Sequence, residues 1–331
     1  MSTDMNSRGI YGNKAALQSI SSMFKSGRMP HSFLLYGEKG TGKKLIADYF
    51  AAAILCENNH DGEPCGECHS CRLAKSKAHP DIIYPEKSGK LMTYTVETCR
   101  NVCADSIVSP NNGAAKVYIF TDCDNLGLSA QNALLKVVEE PPLHVYFIFT
   151  SVHKDSFLPT IISRVTAIGT APCTADECKA ALAESGYNDE DIKGAVGAFG
   201  GNIGMCREYI DGDELKGITA LTRAAIDSII NSDEYSLMKA LSDPVLKDRK
   251  LSRQFLDLFD KTVRDAAVLR YRENAEMAGC SPRKAEQLSH RLSVKSAQRI
   301  HMLIGEAAKD ISANVSSSLV MTALCGDIIN S

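Results

Sequence analysis

The chain has 331 residues, which is long enough for two or three domains that each bury a core. Its 37 basic and 40 acidic residues nearly balance, so the composition excludes a protein that wraps nucleic acid through its overall charge. No apolar run is long enough to span a bilayer, and the first 13 residues are polar. We therefore expect a cytoplasmic protein without a membrane partner.

The first half of the chain alternates short apolar strands with helical stretches. We predict strands at 33–36, 82–84, 117–120, 145–150 and 165–168. This alternation is typical of a parallel sheet covered by helices. After residue 172 the pattern is helical to the end, with breaks at 200–202, 212–217, 243–244 and 279–282. The predicted fold is an α/β domain followed by all-α segments.

A glycine-rich turn, GEKGTGKK at 37–44, lies between the first strand and a helical run at 45–54. Its spacing is that of a P-loop, whose backbone N–H groups hold phosphate while a lysine neutralises charge. The predicted nucleotide-binding residues are Gly37, Gly40, Thr41, Gly42, Lys43 and Lys44. Lys44 departs from the pattern, because a P-loop that binds Mg²⁺ carries Ser or Thr there. The sequence thus predicts a degenerate nucleotide site, with an ordinary glycine-rich turn as the alternative.

Four of the twelve cysteines, Cys56, Cys65, Cys68 and Cys71, follow this helix with the spacing C-x8-C-x2-C-x2-C. Four thiolates at short spacing suit a structural zinc ion and leave no open position for catalysis. A reducing compartment makes a disulfide framework unexpected. Incidental thiols and a redox or iron–sulfur role remain the alternatives. The other eight cysteines are dispersed, and we expect them to behave as small buried hydrophobic residues.

The strand at 117–120 is followed by Thr121 and Asp122. An NTPase needs an acid at the tip of the strand beside the P-loop strand, where it meets the metal and its water. In one register Thr121 faces the metal and Asp122 takes the water-activating position. In the other register Asp122 faces the metal and Cys123 takes the catalytic position. If Thr121 faces the metal, both usual protein contacts to Mg²⁺ are missing, because Lys44 also lacks a hydroxyl. Autonomous ATP hydrolysis is not expected.

A helix is predicted to begin with Ser129 as its cap and to end at Pro141 and Pro142. Glu139 and Glu140 lie near the negative end of this helix, where acidic side chains are unfavourable. Their position hints at a contact or at a role in the turn. A solvated helix face is the simpler interpretation.

The run LPTIISR at 158–164 ends in Arg164. Arginine is suited to reach the γ-phosphate of a neighbouring subunit, because its planar guanidinium is always charged. From the residues alone, a surface ion pair is the favoured interpretation of Arg164.

Two longer runs, NALLKVVEEPP at 132–142 and TIISR at 160–164, resemble the bacterial clamp-loader AAA+ subunits of DNA polymerase III. The P-loop, the four-cysteine insert, AHPD at 78–81 and the strand at 117–120 occur in the family's order. The resemblance is strong from about 12 to 165, weaker in the next segment and architectural beyond it. It implies an AAA+ P-loop domain at 1–170 with a zinc module at 56–71, a small helical lid at 171–215 and an all-α collar at 216–331.

Departures from the family pattern set this chain apart from the ATP-hydrolysing gamma/tau subunits. Those subunits carry Ser or Thr after the P-loop lysine and Asp-Glu in the Walker B motif, whereas this chain has Lys44 and a degenerate Walker B at Thr121 and Asp122. The family's arginine is kept as Arg164. These departures are similar to the delta-prime branch of the family. They imply a non-hydrolysing stator within the polymerase holoenzyme, with Arg164 as an arginine finger acting in trans on a neighbour's ATP.

Two further positions fit that implication. Gly204 stands where the family's lid arginine would touch nucleotide, and Ser151 falls at the sensor-1 position. By resemblance, the cofactor is structural zinc, while ATP and Mg²⁺ are not expected to be hydrolysed by this chain. The implied partners are the gamma/tau and delta subunits and, through the complex, the sliding clamp and primed DNA.

Two other functions stay open at this point. An ATP-hydrolysing gamma/tau-like subunit would depend on Lys43. A zinc-dependent DNA-binding module would use the basic surroundings of the cysteine cluster, Arg72, Lys75 and Lys77, although no aromatic stacking platform accompanies them.

Overall fold

Five strands pair in parallel in the order β2-β3-β4-β1-β5. They are β1 (Ser32–Tyr36), β2 (Ile82–Ile83), β3 (Lys116–Phe120), β4 (Val145–Ser151) and β5 (Thr166–Gly169). The structure, a computed structural model, describes residues 9–89, 92–112, 114–272 and 277–329. The five predicted strands are confirmed. The expectation that the strand at 117–120 lies beside the P-loop strand is wrong, because β4 pairs with both β1 and β3 and separates them.

In the described residues of the first of two compact units, Met1–Cys173, six α-helices accompany the sheet. They are α1 (Lys14–Ser26), α2 (Lys43–Leu55), α3 (His69–Lys75), α4 (Val96–Ser106), α5 (Leu128–Glu139) and α6 (Pro159–Ile162). Alternate residues of β1 face opposite sides of the sheet. Phe33 belongs to the core that contains Phe50 of α2, whereas Leu34 belongs to the core that contains Leu134 of α5.

The start of α5 differs from the prediction. Gly127 is the N-cap residue and Leu128 is the first helical residue, so Ser129 lies inside the first turn and does not cap the helix. The buried side chain of Gln131 explains this start, because its amide nitrogen donates to the carbonyl of Leu126 at 2.8 Å. This bond fixes the chain immediately before the helix. The helix ends at Glu139, before the two prolines, as predicted.

The second compact unit, Thr174–Ser331, is helical throughout its described part. Its helices are α7 (Ala175–Glu184), α8 (Asp189–Phe199), α9 (Ile203–Asp211), α10 (Asp213–Asn231), α11 (Glu234–Leu241), α12 (Arg249–Leu269), α13 (Pro282–Arg291), α14 (Val294–Ser312) and α15 (Ser317–Ile329). The predicted breaks are confirmed except at 212–217, where Gly212 alone interrupts the helices. Asp213 and Glu214 favour an immediate restart, because acidic residues stabilise the first turn of a helix.

The separation of this unit into a lid and a collar stays a prediction. Within the described ranges, no helix combines the length and the apolar character that crossing a bilayer requires. Of the eight dispersed cysteines, six are buried: Cys99, Cys123, Cys178, Cys206, Cys280 and Cys325. Cys103 and Cys173 are partly exposed, so the expectation of burial is wrong for these two.

Candidate functional site

The P-loop connects β1 to α2, as its spacing predicts. Gly40 and Gly42 both have a φ of 85°, in the left-handed region that glycine adopts without a steric penalty. The ammonium group of Lys43 donates to the carbonyls of Gly37 at 2.6 Å and Glu38 at 2.7 Å. Carbonyl groups of the P-loop therefore bind the ammonium group of Lys43, the first residue of α2.

Lys43 is almost completely buried, with 7% of its surface exposed. This burial lowers its pKa, while the nearby carboxylates of Asp124, Asp122 and Glu38 act in the opposite direction. A buried ammonium without acceptors would be costly, so the two loop carbonyls and the acidic residues explain how the charge is kept there.

The segment directly after β5, Thr170 and Ala171, packs against the P-loop. The hydroxyl of Thr170 lies 2.8 Å from that of Thr41, and a Cβ atom on Gly37 would come within 2.3 Å of the Thr170 carbonyl oxygen. Asn13 joins the same cluster, because its amide nitrogen donates to the Thr41 carbonyl and its oxygen accepts from the Ala171 N–H. The loop is thus tied both to the residue before α1 and to the segment after β5.

The positions that would hold a metal are occupied by other groups. Lys44 is exposed in the first turn of α2. Thr121 is tied to Tyr94, because its N–H donates to the tyrosine hydroxyl at 2.7 Å and that hydroxyl donates to its carbonyl at 3.1 Å. The Asp122 side chain is 78% exposed and forms an ion pair with Lys87 at 3.4 Å. These residues offer no cluster of acidic and hydroxyl ligands for Mg²⁺.

Asp124, which was not predicted from the sequence, accepts several hydrogen bonds from residues at the carboxyl end of β4. One of its carboxylate oxygens accepts from the Ser151 hydroxyl at 2.6 Å and from the Val152 and His153 N–H groups at 2.8 and 3.2 Å. Ser151, the predicted sensor-1 residue, also accepts a hydrogen bond from the Gly37 N–H at its carbonyl. Asp124 and Ser151 therefore link β4 to the P-loop.

We expect Asp124→Ala to lower the free energy of unfolding by about 2 to 4 kcal/mol, because it leaves several partly buried donors without their charged acceptor. Asp122→Asn should change it by less than about 0.5 kcal/mol, since the Asp122 side chain is 78% exposed and Asn tolerates the left-handed backbone at this position. Urea unfolding of the two variants checks this. Equal losses would contradict the assignment of Asp124 as the anchor.

Arg164 follows α6 and lies against the end of α5. Its Nη2 donates to a Glu139 carboxylate oxygen at 2.8 Å, and its Nη1 donates to the Thr160 carbonyl at 2.9 Å and to the Ser163 hydroxyl at 3.2 Å. The Arg164 side chain is 35% exposed and that of Glu139 53%. The ion pair favoured for Arg164 from the residues alone is present. For Glu139, the alternative of a contact is confirmed over the simple solvated face.

The four predicted cysteines come together. Their sulfur atoms all lie within 4.8 Å of one another, with Cys56 and Cys68 4.0 Å apart and Cys65 and Cys71 3.9 Å apart. Sulfur ligands of tetrahedral zinc are about 3.8 Å apart, given bonds of about 2.3 Å. The cluster therefore has the geometry to hold a metal ion.

Backbone N–H groups favour the thiolate form of one of these cysteines, Cys65. The N–H groups of Cys68 and Glu67 lower the pKa of Cys65 to about 6. Burial, in contrast, raises the pKa of Cys71. Metal ligands must be thiolates, so the turn at Cys65 favours the form that binds.

The remaining predicted positions are Gly204 and the basic residues near the cysteine cluster. Gly204 lies in the first turn of α9 in the second unit. In the basic surroundings of the cysteine cluster, Lys77 forms an ion pair with Asp48 at 2.7 Å and lies over the Tyr84 ring. Asp48 partly neutralises the basic surface that a DNA-binding role would need.

Comparisons with known proteins find subunits of DNA polymerase III. The family model "DNA polymerase III, delta subunit" matches residues 12–173. The gamma subunit of DNA polymerase III from Buchnera aphidicola (Acyrthosiphon pisum) is 36% identical over 47% of this chain and 43% of its own length. The delta-prime subunit from Pseudomonas aeruginosa is 34% identical over 40% and 41%. That from Escherichia coli K12 is 28% identical over 66% of each chain. The chain thus spans less than half the length of the first two relatives.

Proposed function

We propose that this chain belongs to the clamp-loader family of DNA polymerase III subunits and serves there as a delta-prime-like subunit that does not hydrolyse ATP itself. In this role it is a rigid stator. It supplies Arg164 to the ATP site of a neighbouring gamma/tau subunit while the complex, which includes a delta subunit, loads the sliding clamp on primed DNA in the cytoplasm.

One observation carries this proposal: the metal contacts of a P-loop site are replaced, while an accessible arginine is kept. Lys44 brings a positive charge to the place where Mg²⁺ would be coordinated, which opposes binding of the cation. Thr121 is tied to Tyr94, and Asp122 pairs with Lys87. Arg164 lies on the surface with about a third of its side chain exposed.

The P-loop and the second unit take supporting roles in this proposal. Contacts from Thr170 and Asn13 tie the loop to the rest of the first unit, which suits a subunit that stays rigid while its neighbours change state. The division into a lid at 171–215 and a collar at 216–331 follows the family's organisation, and the collar joins this chain to the other subunits.

The cysteine cluster holds a structural zinc ion in this proposal. All four ligands are thiolates, so the ion has no open position for water or substrate. Residues Cys56, Cys65, Cys68 and Cys71 then fix the turn between α2 and α3.

The isolated chain is expected to show no ATP turnover above background. Lys43→Ala should leave ATP hydrolysis by the reconstituted loader within about twofold of wild type, because this P-loop contributes no hydrolysis. Both rates are measured by phosphate release, with thermal melting as the control that the variant remains folded. Turnover by the isolated chain at a rate typical of AAA+ motors would overturn the proposal.

The second candidate function is that of an ATP-hydrolysing gamma/tau-like subunit. The gamma relative favours it, since it is 36% identical over 47% of the chain. That function requires Lys43, so the same Lys43→Ala variant would abolish the activity of this subunit. The two candidates therefore predict opposite results from one experiment.

A further inference from the structure

We propose that Glu139 is a positioning residue that presents Arg164 to the neighbour's phosphate, an inference that rests on the proposed function. Glu139 is the last residue of α5, and its carboxylate accepts from Nη2 of Arg164 at 2.8 Å. The opposite nitrogen, Nη1, is held by the Thr160 carbonyl and the Ser163 hydroxyl. Contacts at both ends of the guanidinium group fix its plane.

These contacts leave donors for a ligand. A guanidinium group has five N–H donors. The contacts with Glu139, Thr160 and Ser163 account for three of them in the part of the chain that the structure describes. The Nε–H and one Nη2–H remain, and two donors are the number that a bidentate contact with phosphate uses. Glu139 therefore orients the guanidinium group and still leaves it two N–H donors for a phosphate.

Helix stability does not explain an acid at this position. A carboxylate at the C-terminal end of a helix is unfavourable, and an exposed ion pair adds little stability. Orientation does explain it, because a free arginine side chain loses much rotamer freedom when it binds a ligand. When Glu139 holds Arg164 in place, part of this rotamer entropy is lost before the phosphate binds, so less is lost on binding.

The elements that carry the pair are themselves fixed to each other. The buried side chain of Gln131 in α5 donates to the Ser156 carbonyl at 3.0 Å and accepts from the Leu158 N–H at 2.7 Å. These bonds tie the beginning of α5 to the segment that enters α6. Glu139 makes the corresponding contact at the other end of α5, so its carboxylate keeps a fixed place relative to Arg164.

The test uses the full loader reconstituted with Glu139→Ala. We expect kcat for ATP hydrolysis at the adjacent site to fall about 3- to 10-fold with KM for ATP unchanged, because the arginine is less well oriented in the transition state. Glu139→Gln keeps an acceptor and should recover part of the rate. Glu140→Ala is the matched control, since this neighbouring acid is exposed and has no contact with Arg164 in the described structure.

A double variant separates positioning from a structural effect. In the Arg164→Ala background, Glu139→Ala should cause no further loss, because there is no guanidinium left to orient. The inference is wrong if Glu139→Ala behaves like Glu140→Ala, or if its effect persists without Arg164. The proposed function itself fails if Arg164→Ala is without effect. If Arg164→Ala slows hydrolysis and Glu139→Ala does not, the positioning role alone fails.

Discussion

Arg164→Ala is expected to nearly abolish ATP hydrolysis at the neighbouring site that faces this chain, while the loader still assembles. An arginine supplied in trans is worth roughly 10³- to 10⁵-fold in rate, or about 4 to 7 kcal/mol of barrier, because it stabilises charge on the transferred phosphoryl group. The side chain is on the surface and its ion pair with Glu139 is exposed, so its removal should leave folding intact. Single-turnover hydrolysis by the reconstituted loader measures the loss as the missing amplitude of one site.

Two variants make this result specific. Arg164→Lys keeps the positive charge but removes the planar fork, so it should remain strongly impaired if bidentate contact matters. Arg28→Ala removes another exposed arginine and should leave the amplitude unchanged. Gel filtration checks that each complex is assembled. Full amplitude with assembled Arg164→Ala would show that the finger comes from elsewhere.

The sequence predicted the local elements of the first unit well, because each depends on neighbouring residues. Apolar runs buried on both faces define the strands, and the glycine spacing defines the turn from β1 to α2. The order of the strands in the sheet could not be predicted in the same way. β4 lies between β1 and β3, and its pairing with β1 joins segments more than 100 residues apart, such as Ser32 with Phe147. No local pattern reports such pairing.

The candidate site shows the same division between local and distant information. The sequence predicted the location of the glycine-rich loop between β1 and α2, but the partners of this loop, Thr170 and Asn13, lie far from it along the chain. Asp122 is the first acid after β3 and therefore the one that the spacing of an NTPase site indicates, whereas Asp124 lies two residues further along. The left-handed turn at Asp122, with φ of 48°, separates the two acids, and Asp124 is the one that receives the hydrogen bonds. A lone acid after a turn carries no sequence signal for that role.

Glu139 and Arg164 had separate interpretations in the sequence, one as part of a helix face and one as a finger or surface ion pair. The structure joins them in one contact across 25 residues. The unfavourable position of Glu139 at the C-terminal end of a helix was the sequence signal for this contact, since a basic partner compensates the repulsion between the carboxylate and the helix dipole. The identity of that partner required α5 and α6 to be positioned in space.

Cys71→Ser is expected to cause the largest loss of stability among the substitutions considered, because the segment around the cluster has almost no core of its own. Between residues 56 and 71 the buried residues are Gly62, Ser70 and Cys71, none of which is a large apolar side chain. Structural zinc contributes folding free energy directly, about 10 to 16 kcal/mol in isolated zinc-finger peptides. We expect loss of bound zinc and a fall of roughly 10 °C or more in the melting temperature of the first unit.

The measurement is metal content per chain together with thermal melting before and after treatment with a chelator. Cys103→Ser is the matched control, because this partly exposed thiol lies outside the cluster and should keep its zinc and its melting temperature. Chelation of wild type should reproduce the effect of Cys71→Ser, and chelation of that variant should add nothing, since both remove the same bonds. A chain purified without metal, whose melting is insensitive to chelator, would contradict a zinc module. Visible absorbance from bound iron would instead favour the iron–sulfur alternative, because thiolates bind both and zinc is colourless.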